Sequence, residues 1–205
     1  MQYLLYIIIA LTATFVGTIP FGPINLSVVN ITVKSAKSRA YLFILGAAII
    51  EIFQALAAIF FGSLVNRFLA DYSWIQWLII LAFIVAGTIY FTKKPKENTK
   101  TDRPKKLPAF SQGVLVALMN PQAIPFWLIV LGLIQQYQPL HFSGLFLLVF
   151  LLGVFIGKIL GLWLYMFFSI SIKKHIKEGS TILYKVFGVV LILIGFIQAI
   201  KQLIQ

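Results

Sequence analysis

The chain has 205 residues, 60% of them hydrophobic and only 11% charged, with a mean hydropathy of +0.98. A soluble domain carries about 25% charged residues, so this composition excludes one and indicates a polytopic membrane protein. The net charge of +12 falls between apolar runs rather than in one basic patch; it sets orientation and touches anionic lipid, and no nucleic-acid partner is expected.

Crossing a bilayer as a helix takes about 20 apolar residues. Six runs qualify, at 3–33, 41–66, 74–92, 110–136, 142–170 and 182–203. The expected fold is therefore all-α, with six transmembrane helices. The N-terminus, Met-Gln-Tyr, lacks the basic region of a signal peptide, so the first run reads as a retained helix.

The first run is broken near its middle by Thr18-Ile19-Pro20-Phe21-Gly22-Pro23-Ile24-Asn25. Pro20 and Pro23 have no N–H, so the carbonyls of Val16 and Ile19 lose their helical partners. Lipid cannot satisfy them, and such a break belongs where it is buried in protein or lines a polar cavity. Pro23 suits the first position of a restarted helix, whose positive end favours an anion such as a carboxylate. Asn25, Ser27 and Asn30 follow; Asn25 reads equally as a cap or a substrate contact, and Asn30 lies nearer the cytoplasmic mouth.

In the second run Glu51 is a charge deep in apolar sequence, and Gln54, three residues on, is within reach of it. The link 93–109 after the third run is polar, basic and contains proline, and reads as a flexible cytoplasmic linker between two halves, 1–92 and 110–205, of one membrane domain, 1–205.

The fourth run is broken in the same way, by Asn120-Pro121-Gln122-Ala123-Ile124-Pro125, with Asn120 a good N-cap and Pro121 a good first helical residue. Paired breaks at matching places in two halves point to a transporter's binding site. Gln122 faces the cavity or caps the helix. Lys158 is the charge inside the fifth run, at a place comparable to Glu51. Intramembrane charges mark substrate or proton sites. Glu51 is expected to take a proton or a substrate ammonium and Lys158 to attract a carboxylate; a mutual ion pair locking the halves is the alternative, and both can hold. Trp127, Trp163 and Tyr165 read as packing residues or interfacial anchors. Gly153 and Gly157 in the fifth run, and Gly188 and Gly195 in the sixth, allow close helix packing. The first pair has the spacing that could face a second copy, so a homodimer stays open.

Fourteen of the seventeen Lys and Arg residues lie in the first, third and fifth links or just beyond. Those links are then cytoplasmic and both termini outside. With three spans per half, the halves enter the membrane in opposite directions, as inverted repeats. There is no cysteine, and neither His141 nor His175 has metal-ligand spacing, so no metal site is expected. No nucleophile–base set, nucleotide loop or dinucleotide fingerprint is present, so neither catalytic residues nor a cofactor is expected, and the protein reads as a non-enzyme.

The stretch Phe21-Gly22-Pro23-Ile24-Asn25 resembles the Pro-Gly-Pro-x-Asn signature of the LysE/RhtB family of amino-acid exporters. Gly113 through Asn120-Pro121-Gln122-Ala123 resembles that family's Gly-…-Asn-Pro-Lys-Ala segment. Gly46 followed by Glu51 resembles its span-two glycine and acid, and Gly188 and Gly195 its last-helix glycines. The resemblance covers nearly the whole chain. It departs from the family at Phe21 for proline, Ile50 for glycine, Glu51 for aspartate and Gln122 for lysine, and at Lys158 where span five often carries an acid. That last exchange argues against an inherited preference for basic amino acids.

The resemblance implies a secondary exporter of amino acids or related small molecules in a bacterial inner (cytoplasmic) membrane, driven by proton antiport. The substrate-binding set is expected to be Pro20, Gly22, Pro23, Asn25, Asn120, Pro121, Gln122 and Lys158, with carbonyls such as those of Val16 and Ile19 free for the ammonium, and Glu51 as the proton-coupling residue. A metal-ion exporter and a non-transporting membrane scaffold are the rival readings.

Overall fold

In the computed structural model the described residues are 2–19, 22–71, 73–92, 107–120, 122–137 and 140–172, with 185, 188, 189, 192, 193, 195–197, 199, 200, 202 and 203 from the C-terminal segment. Helices α1 (Gln2–Thr18) and α2 (Pro23–Lys34) occupy the first apolar run and meet at a 74° bend. Gly22 caps α2 in an extended conformation, and Pro23 takes the first turn, where its missing N–H costs nothing. Helices α3 (Lys37–Asp71) and α4 (Ser73–Thr92) follow. The fourth run forms α5 (Ala109–Leu118) and α6 (Ala123–Tyr137), bent by 65°. Helix α7 (Gly144–Phe167) starts at Gly144, whose φ of +50° lies in the left-handed region that suits glycine.

Both breaks thus fall where the prolines predict them, although Pro20, Phe21 and Pro121 themselves lie outside the described residues. Among the described residues, Lys37–Gly62 and Gly144–Phe167 are each long and apolar enough to cross a membrane, and each bent pair qualifies when taken as one span. The predicted span 74–92 corresponds to α4; most of 182–203, and 93–106 of the linker, lie outside the described residues. Large apolar side chains such as Phe53, Phe60, Leu148 and Leu152 are exposed on the outer faces of α3 and α7, as lipid-facing surfaces require.

The chain packs as two units, each drawing on both halves of the sequence. One comprises Met1–Gly62 and Asp102–Lys174, the other Ser63–Thr101 and His175–Gln205. In the first unit glycines set the crossings. A Cβ on Gly153 would lie 2.7 Å from the Ile7 carbonyl, and one on Gly157 2.5 Å from that of Leu11; Gly161 abuts Thr18. These three glycines, one turn apart, let α7 lie against α1. Gly153 and Gly157 are therefore used inside the chain, contrary to the expectation that they could face a second copy. Helices α3 and α5 cross reciprocally, Gly46 against the Phe110 carbonyl and Gly113 against that of Phe43. In lipid there is no hydrophobic drive between helices, so this backbone-to-backbone fit supplies the association. In the second unit, Gly87 on α4 and Gly188 sit against each other's carbonyls, and Gly195 packs on Ile84.

Among the described residues the first unit contains two apolar cores. One gathers Ile24 and Val28 of α2, Phe43, Ile44, Ala47 and Ile50 of α3, Ala117 of α5, and Leu162 and Met166 of α7. The other gathers Tyr6 and Ala10 of α1, Ala55 and Ala58 of α3, Trp127 and Leu131 of α6, and Phe150 and Val154 of α7. Each broken run contributes its two pieces to different cores, while α3 and α7 pass through both. The breaks therefore lie at the level where one core gives way to the other.

Candidate functional site

The buried side chains between the two cores on α3 and α7 are polar. Glu51 and Gln54 lie between Ile50 of one core and Ala55 of the other; Lys158 lies between Val154 and Leu162. All three are at least nine-tenths buried, at 3%, 8% and 6% exposure. An unpaired charge at a bilayer centre costs at least about 2.5–3.5 kcal/mol, so partners are required. Lys158 Nζ lies 2.9 Å from Glu51 Oε2. The other carboxylate oxygen accepts a 2.9 Å hydrogen bond from Trp127 Nε1. Trp127 is fully buried and meets Phe126 and Phe150 edge to face. It is thus neither an interfacial anchor nor simple packing: its indole N–H, buried away from water, needs an acceptor, and Glu51 is that acceptor.

Gln54 does not bond Glu51, although their spacing allows it. Its Nε2 donates 2.9 Å to the Ala117 carbonyl in the last turn of α5, a carbonyl that also accepts from Asn120 N at 3.1 Å. A carbonyl only accepts, so the amide nitrogen must face it and the amide oxygen is left over. Gln54 Oε1 is buried without a hydrogen-bond partner; the other such atom among the described residues is Glu51 Oε2, which has the Lys158 charge beside it.

At the first break the carbonyls expected to be free are engaged. Val16 O accepts from Ile19 N at 3.1 Å, and Ile19 O accepts from the Tyr165 hydroxyl. The Thr18 carbonyl accepts from Asn25 Nδ2 at 2.8 Å, so Asn25 braces the bend from inside α2 rather than capping it. Asn25 also hydrogen-bonds Tyr165. The reason is the one that makes broken helices rare in lipid: each stranded carbonyl must find a donor within the protein. Tyr165, expected as a packing or anchoring residue, is such a donor. Trp163 is exposed and stacks on Phe167, in keeping with an anchor.

At the second break Asn120 Oδ1 accepts from Gln122 N at 3.3 Å, the capping role its position predicts, and the α6 ladder opens with Phe126 N to Gln122 O at 3.0 Å. The two breaks meet. Gln122 Oε1 lies 3.9 Å from where a Cβ on Gly22 would be, and the Phe126 ring occupies the space beside Gly17. The starts of α2 and α6 are therefore neighbours, each with first-turn N–H groups lacking helical partners and each the positive end of its helix.

Of the predicted site residues, Glu51 and Lys158 are in contact, Gly22 and Gln122 adjoin, Pro23 and Asn25 form the first turn of α2, and Asn120 holds the turn before α6. Pro20 and Pro121 lie outside the described residues, as does His175, and His141 is exposed. Among the described residues no three His, Cys, Asp or Glu side chains are grouped to hold a metal ion.

Residues 15–202 match the family described as LysE type translocator. The chain is 26% identical over 212 residues to the "Putative amino acid efflux protein YcgF" of Bacillus subtilis (strain 168), covering 98% of each chain. No solved structure matches. The family match runs from the end of α1, through both breaks and the charged layer, to the C-terminal segment, and the chain belongs to the LysE-type translocators, multi-pass membrane transporters.

Proposed function

We propose that the protein is a secondary exporter of amino acids across the cytoplasmic membrane, working by proton antiport and alternating access. The observation that carries this reading is the buried Glu51–Lys158 pair at the level of both helix breaks, between two apolar cores. In an oriented chain with its termini outside, the core holding Tyr6 is external and the core holding Phe43 cytoplasmic. Parting one core at a time exposes the same layer first to one side and then to the other. A substrate carboxylate sits near the starts of α2 and α6 with Lys158, and its ammonium near Glu51. Proton uptake by Glu51 after release removes one charge of the pair and resets the carrier. The name of the Bacillus subtilis relative supports amino acids as the substrate.

Inverted repeats fit the packing. Gly46 on α3 lies against the broken helix of the second half, and Glu51 follows it by five residues; Gly153 on α7 lies against the broken helix of the first half, and Lys158 follows it by five. The equal spacing supports a two-fold relation in which acid and base occupy equivalent positions.

The test is efflux from cells preloaded with labelled amino acids. Selective efflux of one class, lost or made independent of external pH in Glu51→Gln, is the expected result. Normal rate and pH dependence in Glu51→Gln would remove the coupling role. No efflux of any amino acid from well-expressed wild type would remove the amino-acid reading.

A further inference from the structure

Resting on the exporter reading, we infer that the site selects a zwitterion of zero net charge, an α-amino acid with an uncharged side chain, which enters by taking the place of the Glu51–Lys158 ion pair. In the closed layer each charge is the other's counterion at 2.9 Å, and both side chains are nearly fully buried. Admitting a ligand between them means separating them, and each then needs a replacement. A neutral amino acid carries both replacements on adjacent atoms: its carboxylate for Lys158 and its ammonium for Glu51. A lysine-like substrate brings a second cation beside Lys158 into a layer enclosed by two apolar cores, and a glutamate-like substrate a second anion beside Glu51. Among the described residues Glu51 and Lys158 are the only buried charged side chains, so neither extra charge has a side-chain counterion there.

A second observation points the same way. Gln54 Oε1 is a buried acceptor with no donor, one helical turn from Glu51. Buried acceptors of this kind are rare in finished structures and call for a donor. An ammonium has three N–H bonds; one bound to Glu51 has others to offer Gln54. The acceptor is held in place because the amide's other end is committed to the Ala117 carbonyl beside the second break. The ligand sought thus has one anionic end and one N–H-bearing cationic end, with no further charge.

The experiment uses the purified full-length chain in lipid vesicles and measures counterflow exchange of labelled leucine against unlabelled leucine, threonine, lysine, glutamate and glycine betaine. Leucine or threonine should compete at least tenfold better than lysine or glutamate. Betaine, which has both charges but no N–H, should compete at least tenfold more weakly than leucine. Lysine or glutamate competing as well as the neutral amino acids would overturn the inference and leave the exporter reading standing. Betaine equal to leucine would overturn the part assigned to Gln54. If labelled leucine does not exchange, direct exchange of labelled lysine and glutamate decides between the two readings: exchange of either overturns only the selectivity, and exchange of none overturns both. In Lys158→Met the site keeps Glu51 alone, and the lysine-to-leucine preference should rise at least tenfold; an unchanged ratio would also overturn the inference. The wild-type panel decides the question even if that variant does not fold.

Discussion

The two helix breaks solve one problem with different parts. Each strands carbonyls in a medium that cannot hydrate them. The first is braced by Asn25 from its own restarted helix and by Tyr165 from α7, the helix that bears Lys158. The second is braced by Gln54 from α3, the helix that bears Glu51. Each break is thus tied to the helix of one member of the ion pair. The second has a further tie that the first lacks, since Trp127, just beyond it, donates directly to Glu51. The first break is held to the backbone of its bend; the second is wired to the charge itself. A change in the charge state of Glu51 should therefore reach the second break through one hydrogen bond, and the first only through the ion pair and α7.

The largest expected effect comes from cutting the link both breaks share. Lys158→Met leaves Glu51 buried and unpaired, and loss of one member of such a pair costs about 3–5 kcal/mol. The double variant Glu51→Gln/Lys158→Met removes the stranded charge and should recover most of that loss without regaining proton-coupled export. Denaturant unfolding of the detergent-solubilised protein measures both. A double variant no more stable than Lys158→Met would mean that the pair is not a unit, and that the two breaks are not joined through it.

The next effect isolates the second break. Trp127→Phe keeps most of the buried ring but removes the N–H, leaving a carboxylate oxygen without its donor. Hydrogen bonds to charged groups contribute about 1.5–3 kcal/mol, and the expected destabilisation lies in that range. Export should fall with it. If Trp127→Phe exports normally and is as stable as wild type, the direct wire to Glu51 carries nothing, and the two breaks are equivalent after all.

Much of this arrangement is legible in the sequence, and the limits are physical. The breaks are visible because proline removes a donor wherever it stands, and Glu51 and Lys158 because a charge in an apolar run has few explanations. What one sequence does not reveal is who answers whom. The spacing of Glu51 and Gln54 suggests a bond between them, yet the Gln54 amide nitrogen goes to the Ala117 carbonyl, 63 residues away in the chain. Trp127 and Tyr165 read as anchors because aromatic residues at membrane depth usually are. A sharper signal was available: a tryptophan two residues after the second break proline, Pro125, lies too near mid-run for an interface and must bring its N–H to an acceptor inside. Gly153 and Gly157 look the same whether they face α1 or a second copy, because small-residue spacing records a close approach and not its partner.

The smallest expected effect tests the first break alone. Tyr165→Phe removes the hydroxyl that donates to the Ile19 carbonyl and bonds Asn25, and leaves the Glu51–Lys158 pair in place. Tyr165 is half-buried and at the far end of α7 from the Glu51 contact, two helical turns beyond Lys158. The loss should be about 0.5–1.5 kcal/mol, that of an ordinary neutral hydrogen bond. Because Asn25 still holds the Thr18 carbonyl, the bend should survive, and export should be reduced less than in Trp127→Phe. The comparison turns on this ordering. If Tyr165→Phe abolishes export while Trp127→Phe is tolerated, then the first break is the moving part and the second its support, and the hydrogen bond from Trp127 to Glu51 serves to fix the charge rather than to report it.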